Sequence, residues 1–289
     1  FTNHYREFLC NIVSDRGKID AIALRRAIKG FGTEDSTLIE ICTTRTNAEL
    51  KAAKKAYLDL YERDLYLDIF DDTSGDYRSM LLSLIQCKRQ ENEYASFWQM
   101  ISSMVTGNEM DLGTHGRDDG PAVDDLEAGR VAELLYRVGE GKDDDAESRF
   151  VKYLCRYSPE MMQSVSVQYE IKYGKSLEAA MEEQVDGDFL DCCKMLVTPR
   201  LDAWAQLLMK TFEGFGTDDS GVARILGSVD KTSAVALAYK FGELAGRPLA
   251  EALSDELSGS FLDACISWIT AEASVGNEAV DPDVAAQML

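Results

Sequence analysis

Residues 29–36 read Lys-Gly-Phe-Gly-Thr-Glu-Asp-Ser, and residues 213–220 read Glu-Gly-Phe-Gly-Thr-Asp-Asp-Ser. Each is followed, at one fixed distance, by an acidic residue ahead of Ser-Gly: Asp72-Thr73-Ser74-Gly75 and Glu256-Leu257-Ser258-Gly259. Gly30 and Asp72 are 42 residues apart, as are Gly214 and Glu256. A spacing kept twice points to two copies of one oxygen-rich site, which is the coordination chemistry of calcium. A Gly-rich turn ahead of a helix can aim several carbonyls at one point, because glycine tolerates the dihedrals required. A distant carboxylate then closes the shell. The plain alternative is a glycine-containing turn between helices, flanked by solvated acids.

Around these signatures the apolar pattern is helical, period-2 alternation is rare and proline is scarce, at five residues, so an all-α chain is expected. In the first unit Leu24, Ala27 and Ile28 share one helix face. Thr33 is expected to cap the next helix, whose inner stripe is Leu38, Ile41 and Cys42. Asn47 begins a third helix with Leu50, Ala53, Tyr57 and Leu60. A short fourth holds Leu65 and Ile69, and a fifth carries Tyr77, Met80, Leu81, Leu84 and Ile85. The same order recurs twice, with a period of about 70 residues. The expected segments are 1–14, the last helix of an incomplete first unit; 15–87, a full unit; 88–125, a long linker; 126–197 and 198–271, two more units; and 272–289, an acidic tail. The linker is expected to hold a short helix around Trp98, Met100 and Met104. In the middle unit Val131, Leu134, Leu135 and Val138 lead into a loop at Gly139-Glu140-Gly141.

Composition narrows the function. The 289 residues are 45% apolar, ample for a large core. The chain carries 30 Lys+Arg against 51 Asp+Glu, a net charge of −21. Nucleic acid is thereby an unsuitable partner, since phosphate contacts need clustered Lys and Arg. An anionic membrane stays accessible if divalent cations bridge the two surfaces. Seven cysteines without a CxxC pair read as buried, reduced thiols of an intracellular protein. Cys192-Cys193, Trp204 and Trp268 read as core. No stretch approaches 18 uninterrupted apolar residues and no signal peptide is visible, so a cytoplasmic protein is expected, peripherally associated with membrane. The chain begins with Phe1, not Met. No enzyme is expected: the histidines are His4 and His115, no Ser/His/Asp or Cys/His arrangement suggests itself, and there is no phosphate-cradling Walker loop.

These residues resemble the annexin family over nearly the whole chain. The resemblance lies in the Gly-x-Gly-Thr loops, the acidic residue some 42 positions on, the run Leu38-Ile39-Glu40-Ile41-Cys42-Thr43-Thr44-Arg45-Thr46-Asn47, and Tyr157-Ser158-Pro159. It implies a curved superhelical array of five-helix repeats, of which three are complete here, the rest of the first being absent. It implies calcium (Ca2+) held by the carbonyls of Ile28, Gly30 and Gly32 with the Asp72 side chain, and by those of Phe212, Gly214 and Gly216 with Glu256. It implies ion pairs between helices for Arg45 and Arg156, lost at Val229. The middle copy departs from the pattern: its loop reads Gly141-Lys142-Asp143-Asp144-Asp145, and Gln184 stands where the capping carboxylate belongs. The function implied is calcium-dependent binding to anionic phospholipid membrane surfaces, with Lys29, Phe31 and Phe215 as membrane contacts. Glu213 in place of Lys29 makes the last loop the poorer contact. The alternatives are a calcium-independent structural or cytoskeletal interaction protein on the same fold, and an ion-conducting oligomer.

Overall fold

The computed structural model describes residues 3–30, 32–90, 125–140, 146–214 and 216–270, and among them there are sixteen α-helices and no strand. The first, α1 (Asn3–Val13), stands alone. A set of five follows: α2 (Arg16–Ile28), α3 (Asp35–Thr44), α4 (Asn47–Tyr61), α5 (Leu65–Asp72) and α6 (Gly75–Leu84). The second set is α7 (Asp125–Glu140), α8 (Ala146–Leu154), α9 (Pro159–Tyr173), α10 (Leu177–Glu182) and α11 (Gly187–Val197). The third is α12 (Arg200–Lys210), α13 (Asp219–Gly227), α14 (Lys231–Ala245), α15 (Leu249–Glu256) and α16 (Gly259–Ile269).

Local chemistry repeats with the sets. The third helix of each begins at an N-cap whose side chain accepts a backbone N–H: Thr46, Ser158 and Asp230. Thr46 completes a capping box with Glu49. The same helix ends on a left-handed residue, Glu62, Gly174 or Gly246. The fifth helix opens with an extended residue and then a glycine near φ 60°, at Ser74-Gly75, Asp186-Gly187 and Ser258-Gly259. Side chains and turns thus mark each boundary three times over. Thr33 departs from expectation: α3 is capped by Glu34, and the Thr33 hydroxyl donates instead to the Asp35 carboxylate at 2.9 Å. In the middle set α7 runs on through Gly139 and Glu140, so the expected loop starts no earlier than residue 141. Leu134, expected inside, is exposed. The expected helix around Trp98 lies outside the described residues.

Within each set the first and third helices pack together, as α2 on α4, α7 on α9 and α12 on α14. Sets are joined by fifth helices lying on second helices: α6 on α8 and α11 on α3. Helix α1 lies on α13 and α16. Phe8 fills that joint at 1% exposure, edge-on to Phe261 and Trp268, and Asn11 donates to the Ala223 carbonyl at 3.1 Å. Trp204 is fully buried and Trp268 half-buried. All seven cysteines are free; Cys42, Cys87, Cys192, Cys193 and Cys265 are buried, whereas Cys10 is exposed. Burial pushes the Cys42 thiol up to about 12, so it is inert as a nucleophile at neutral pH.

A buried polar network crosses from the first full set to the last. Arg45, wholly buried, donates to both Asp20 oxygens at 2.8 and 2.9 Å and to Glu40 at 3.4 Å. Glu40 also accepts three bonds from Arg224, at 2.8, 3.1 and 3.3 Å. The Arg45 guanidinium lies 4.7 Å above the Trp204 ring. Burial alone would lower the Arg45 pKa, yet Asp20 and Glu40 outweigh it and raise it. Arg156 does not reproduce this. It is exposed, lies over the Tyr157 ring, and makes no ion pair among the described residues. The reason is legible: counted from the shared caps Thr46 and Ser158, the buried Tyr157 and not Arg156 stands where Arg45 does, and Ala132 stands where Asp20 does.

A second carboxylate, Asp68, is 4% exposed and accepts from Tyr57 at 2.6 Å, Arg25 at 3.2 Å and Arg63 at 2.8 Å. The Arg63 hydrogen bonds, helped by Tyr57 and Arg25, outweigh burial and hold its pKa below the usual carboxylate range.

Two outcomes follow for stability. Asp20→Ala leaves the Arg45 charge buried with a weakened shell, and urea titration should show a loss of about 3–5 kcal/mol. Asp68 has a folded pKa below its unfolded value, so its contribution is present above the unfolded pKa and is lost as pH falls toward the folded one. The Tm gap between wild type and Asp68→Asn should therefore be wide at pH 7 and narrow below about pH 4, near the ordinary aspartate value. A gap that widens on acidification contradicts the assignment.

Candidate calcium loops

Helix α2 ends because the chain leaves helical dihedrals at Lys29, whose N–H still reaches the Arg25 carbonyl. Two glycines with φ 143° (Gly30) and 85° (Gly32) turn the chain back. The turn is closed by the Glu34 N–H on the Ala27 carbonyl at 2.9 Å. The last set repeats this: Gly214 and Gly216 have φ 94° and 97°, and the Asp218 N–H closes on the Thr211 carbonyl at 2.9 Å. Side chains rarely adopt such dihedrals, and a β-carbon at any of the four would meet nothing within 4 Å. Backbone geometry, not space, calls for glycine there.

The six carbonyls singled out by sequence, on Ile28, Gly30, Gly32, Phe212, Gly214 and Gly216, accept no turn or side-chain hydrogen bond among the described residues. Ile28 is buried and Phe212 half-buried, edge-on to Phe241 at 5.9 Å, which anchors each loop's entry. The remaining four positions are exposed. Carbonyl oxygens that the fold leaves unused are the hard, uncharged donors calcium takes. Among the described residues no three His, Cys, Asp or Glu side chains gather as a metal cluster, so an ion at these loops would draw on main-chain oxygen plus one carboxylate.

The carboxylates behave differently in the two copies. The Thr217 hydroxyl donates to Glu256 Oε2, joining the last loop to the end of α15. In the first copy Thr33 bonds Asp35, and no hydrogen bond among the described residues ties the exposed Asp72 to its loop. Arg78 instead donates to the Thr73 carbonyl beside it at 2.6 Å and lies over the Phe70 ring. The threonine's part was not read from sequence, although its place after Gly-Phe-Gly in both signatures was the available signal. In the middle copy two acids beside Gln184 are already paired, Glu183 with Lys175 and Glu182 with Lys194, whereas Asp186 makes no side-chain ion pair among the described residues. Lys29 and Glu213 are exposed at their loops. Phe31, Phe215 and Asp143–Asp145 lie outside the described residues.

One arrangement was not foreseen. Ser220 lies 3.4 Å from His4 Nδ1, and Asp219 3.9 Å from His4 Nε2. The Ser220 hydroxyl donates to Glu7 at 3.1 Å, however, so its proton is already given to a carboxylate and the oxygen is not activated by the imidazole.

Three repeated five-helix sets, two of them with a Gly-x-Gly-Thr loop and an acidic residue 42 positions after its first glycine, define an all-helical repeat protein. The family model described as Annexin matches residues 19–84, 130–196 and 203–268, and the chain belongs to the annexin family. It is 32% identical to annexin A13 of Homo sapiens over 82% of this chain and 67% of that protein. It is 29% identical to annexin A13 of Schistosoma japonicum over 94% of this chain and 76% of the relative. Among solved structures, annexin III superposes with a TM-score of 0.77 at 25% identity, over 93% of this chain and 76% of that one. A calcium-bound annexin (Sm)1 superposes with a TM-score of 0.75 at 25% identity, over 94% and 74%. The chain thus spans about two thirds to three quarters of these relatives. Family and fold imply calcium-dependent phospholipid binding in general, and members of the family are generally not enzymes. No described helix is long and apolar enough to cross a membrane.

The glycine argument has a direct check. Gly32→Ala and Gly216→Ala, forced into positive φ, should each lose about 1–2 kcal/mol in calcium-free urea titrations. Gly129→Ala sits inside α7 with nothing within 4 Å of the added carbon, and should gain about 0.5–1 kcal/mol.

Proposed function

We propose that this chain is a peripheral membrane protein that binds anionic phospholipid through calcium held at two of its three complete repeats. One ion is held by the carbonyls of Ile28, Gly30 and Gly32 with Asp72, the other by those of Phe212, Gly214 and Gly216 with Glu256. The observation that carries this reading is the last loop: glycine dihedrals leave its carbonyls unused, and Thr217 draws the Glu256 carboxylate to it. When bound, calcium supplies the positive potential that a chain of net charge −21 lacks, and lipid phosphate completes its shell. The middle repeat lacks such a site, since Gln184 replaces the carboxylate and Glu182 and Glu183 are held by lysines. Helix α1 lies on α13 as α11 lies on α3, which supports reading residues 1–14 as the last helix of an incomplete repeat, ahead of repeats at 15–87, 126–197 and 198–271. Lys29, with Phe31 and Phe215, forms the membrane contact, and the protein is cytoplasmic until calcium recruits it.

Titration calorimetry should count two ions for the wild type and one each for Asp72→Ala and Glu256→Ala. Co-sedimentation with phosphatidylserine vesicles should require calcium, be reversed by chelator, and persist at moderate salt, because inner-sphere bridging is not screened as diffuse charge is. Vesicle binding unchanged by chelator would instead support a calcium-independent interaction protein.

A further inference from the structure

The first full repeat carries a pair of side chains that the other two lack. Arg78, in the first turn of α6, reaches back to the turn that holds Asp72. Its Nε donates to the Thr73 carbonyl at 2.6 Å, and its Nη2 donates to the same oxygen. The guanidinium lies 4.4 Å over the Phe70 ring. Nη1 has no acceptor among the described residues, so the end of the guanidinium fork is free. Asp71, Asp72 and Asp76 are near in sequence, yet none forms an ion pair with Arg78. Phe70 stands two residues before Asp72 and is 46% exposed. Leu67, one turn earlier on the same face of α5, is 57% exposed. Counted from Ser74, Asp186 and Ser258, the places of Phe70 and Arg78 fall to Glu182 and Leu190 in the middle repeat and to Ser254 and Leu262 in the last. The pair is therefore a property of this repeat and not of the fold.

We propose that Arg78 and Phe70 form a second lipid site in this repeat, in which the free guanidinium edge binds the phosphate of an anionic phospholipid and the ring enters the membrane interface. The site rests on reading Asp72 as a calcium ligand, which brings its turn to the bilayer. Arg78 bonds a main-chain oxygen of the residue next to Asp72, so a headgroup bridged there by calcium leaves the guanidinium at the depth of the phosphates. Nη1 and the outer N–H of Nη2 are two parallel donors, which match two phosphate oxygens. The Thr73 carbonyl already fixes the other edge of the fork, so little side-chain freedom is lost on binding. Ring and guanidinium together make an apolar body with a charged head, which suits the boundary between headgroups and acyl chains. In a chain of net charge −21, an arginine with no carboxylate partner at this edge complements an anionic surface. Calcium takes up the Asp72 charge, so that acid does not compete for Arg78.

The test is sedimentation on phosphatidylserine vesicles at saturating calcium, beside calorimetric calcium titration without lipid. Arg78→Gln and Phe70→Ser should each bind the vesicles about fivefold more weakly than wild type. Both should take up as many calcium ions as wild type in the absence of lipid. Arg78→Lys should recover part of the loss, since it keeps the charge without the fork. An excess of soluble glycerophosphoserine should not displace wild type from the vesicles, because it offers the ring no interface. Wild-type vesicle affinity in either Arg78→Gln or Phe70→Ser would overturn this site and leave the calcium reading standing. Displacement by glycerophosphoserine would make Arg78 a site for free phosphate esters. Fewer calcium ions on Arg78→Gln would make it a support for the Asp72 turn, and either result overturns the lipid contact. Wild-type binding that chelator leaves unchanged would overturn the calcium reading and this site with it.

Discussion

The Arg45 charge sits at 0% exposure, and everything around it is arranged to make that tolerable. An unpaired guanidinium in such a place would cost several kcal/mol. Asp20 supplies a two-point partner, Glu40 a third contact, and the Trp204 face a fourth. Because Glu40 also holds Arg224, the network ties this repeat to the last one. The residues concerned occupy equivalent positions in the two repeats. Asp20 matches Trp204, Glu40 matches Arg224, and Arg45 matches Val229. Equivalent positions of the two repeats thus carry different side chains, and those of the last repeat meet those of the first full repeat across the junction.

That junction bears on function through the helices it fixes. Helices α2 and α12 both start beside it and both end at a candidate calcium loop. Loops of this kind have little packing of their own. Their carbonyls are unused and their glycines meet nothing, so their shape depends on helix ends held rigidly elsewhere. Calcium at such a loop also answers an electrostatic problem. A chain at −21 and an anionic bilayer repel each other, and an inner-sphere cation is the most local way to reverse that.

The two loops are near copies, yet the structure separates them. Glu256 has the longer side chain and is held by Thr217, whereas the shorter Asp72 is exposed and its neighbouring carbonyl is taken by Arg78. The first loop has Lys29 beside it and the last has Glu213, so the better-formed loop carries the less favourable charge for lipid.

The sequence by itself determined the all-helical class, the period and the two signatures. Those features are local: helical apolar spacing, residues such as Thr46, Ser158 and Asp230 that cap helices, and glycines where φ must be positive. It also told which copy lacks a carboxylate, because Gln184 cannot serve as one. What only the tertiary structure decided involves side chains far apart in the chain. That Thr217 finds Glu256, that Tyr157 and not Arg156 takes the inward place of Arg45, and that Cys10 faces solvent all depend on which helices meet. Spacing along a chain shows that two residues have counterparts. Only the packing of repeats against one another shows whose charge answers whose, because desolvation and pairing are properties of the assembled interior.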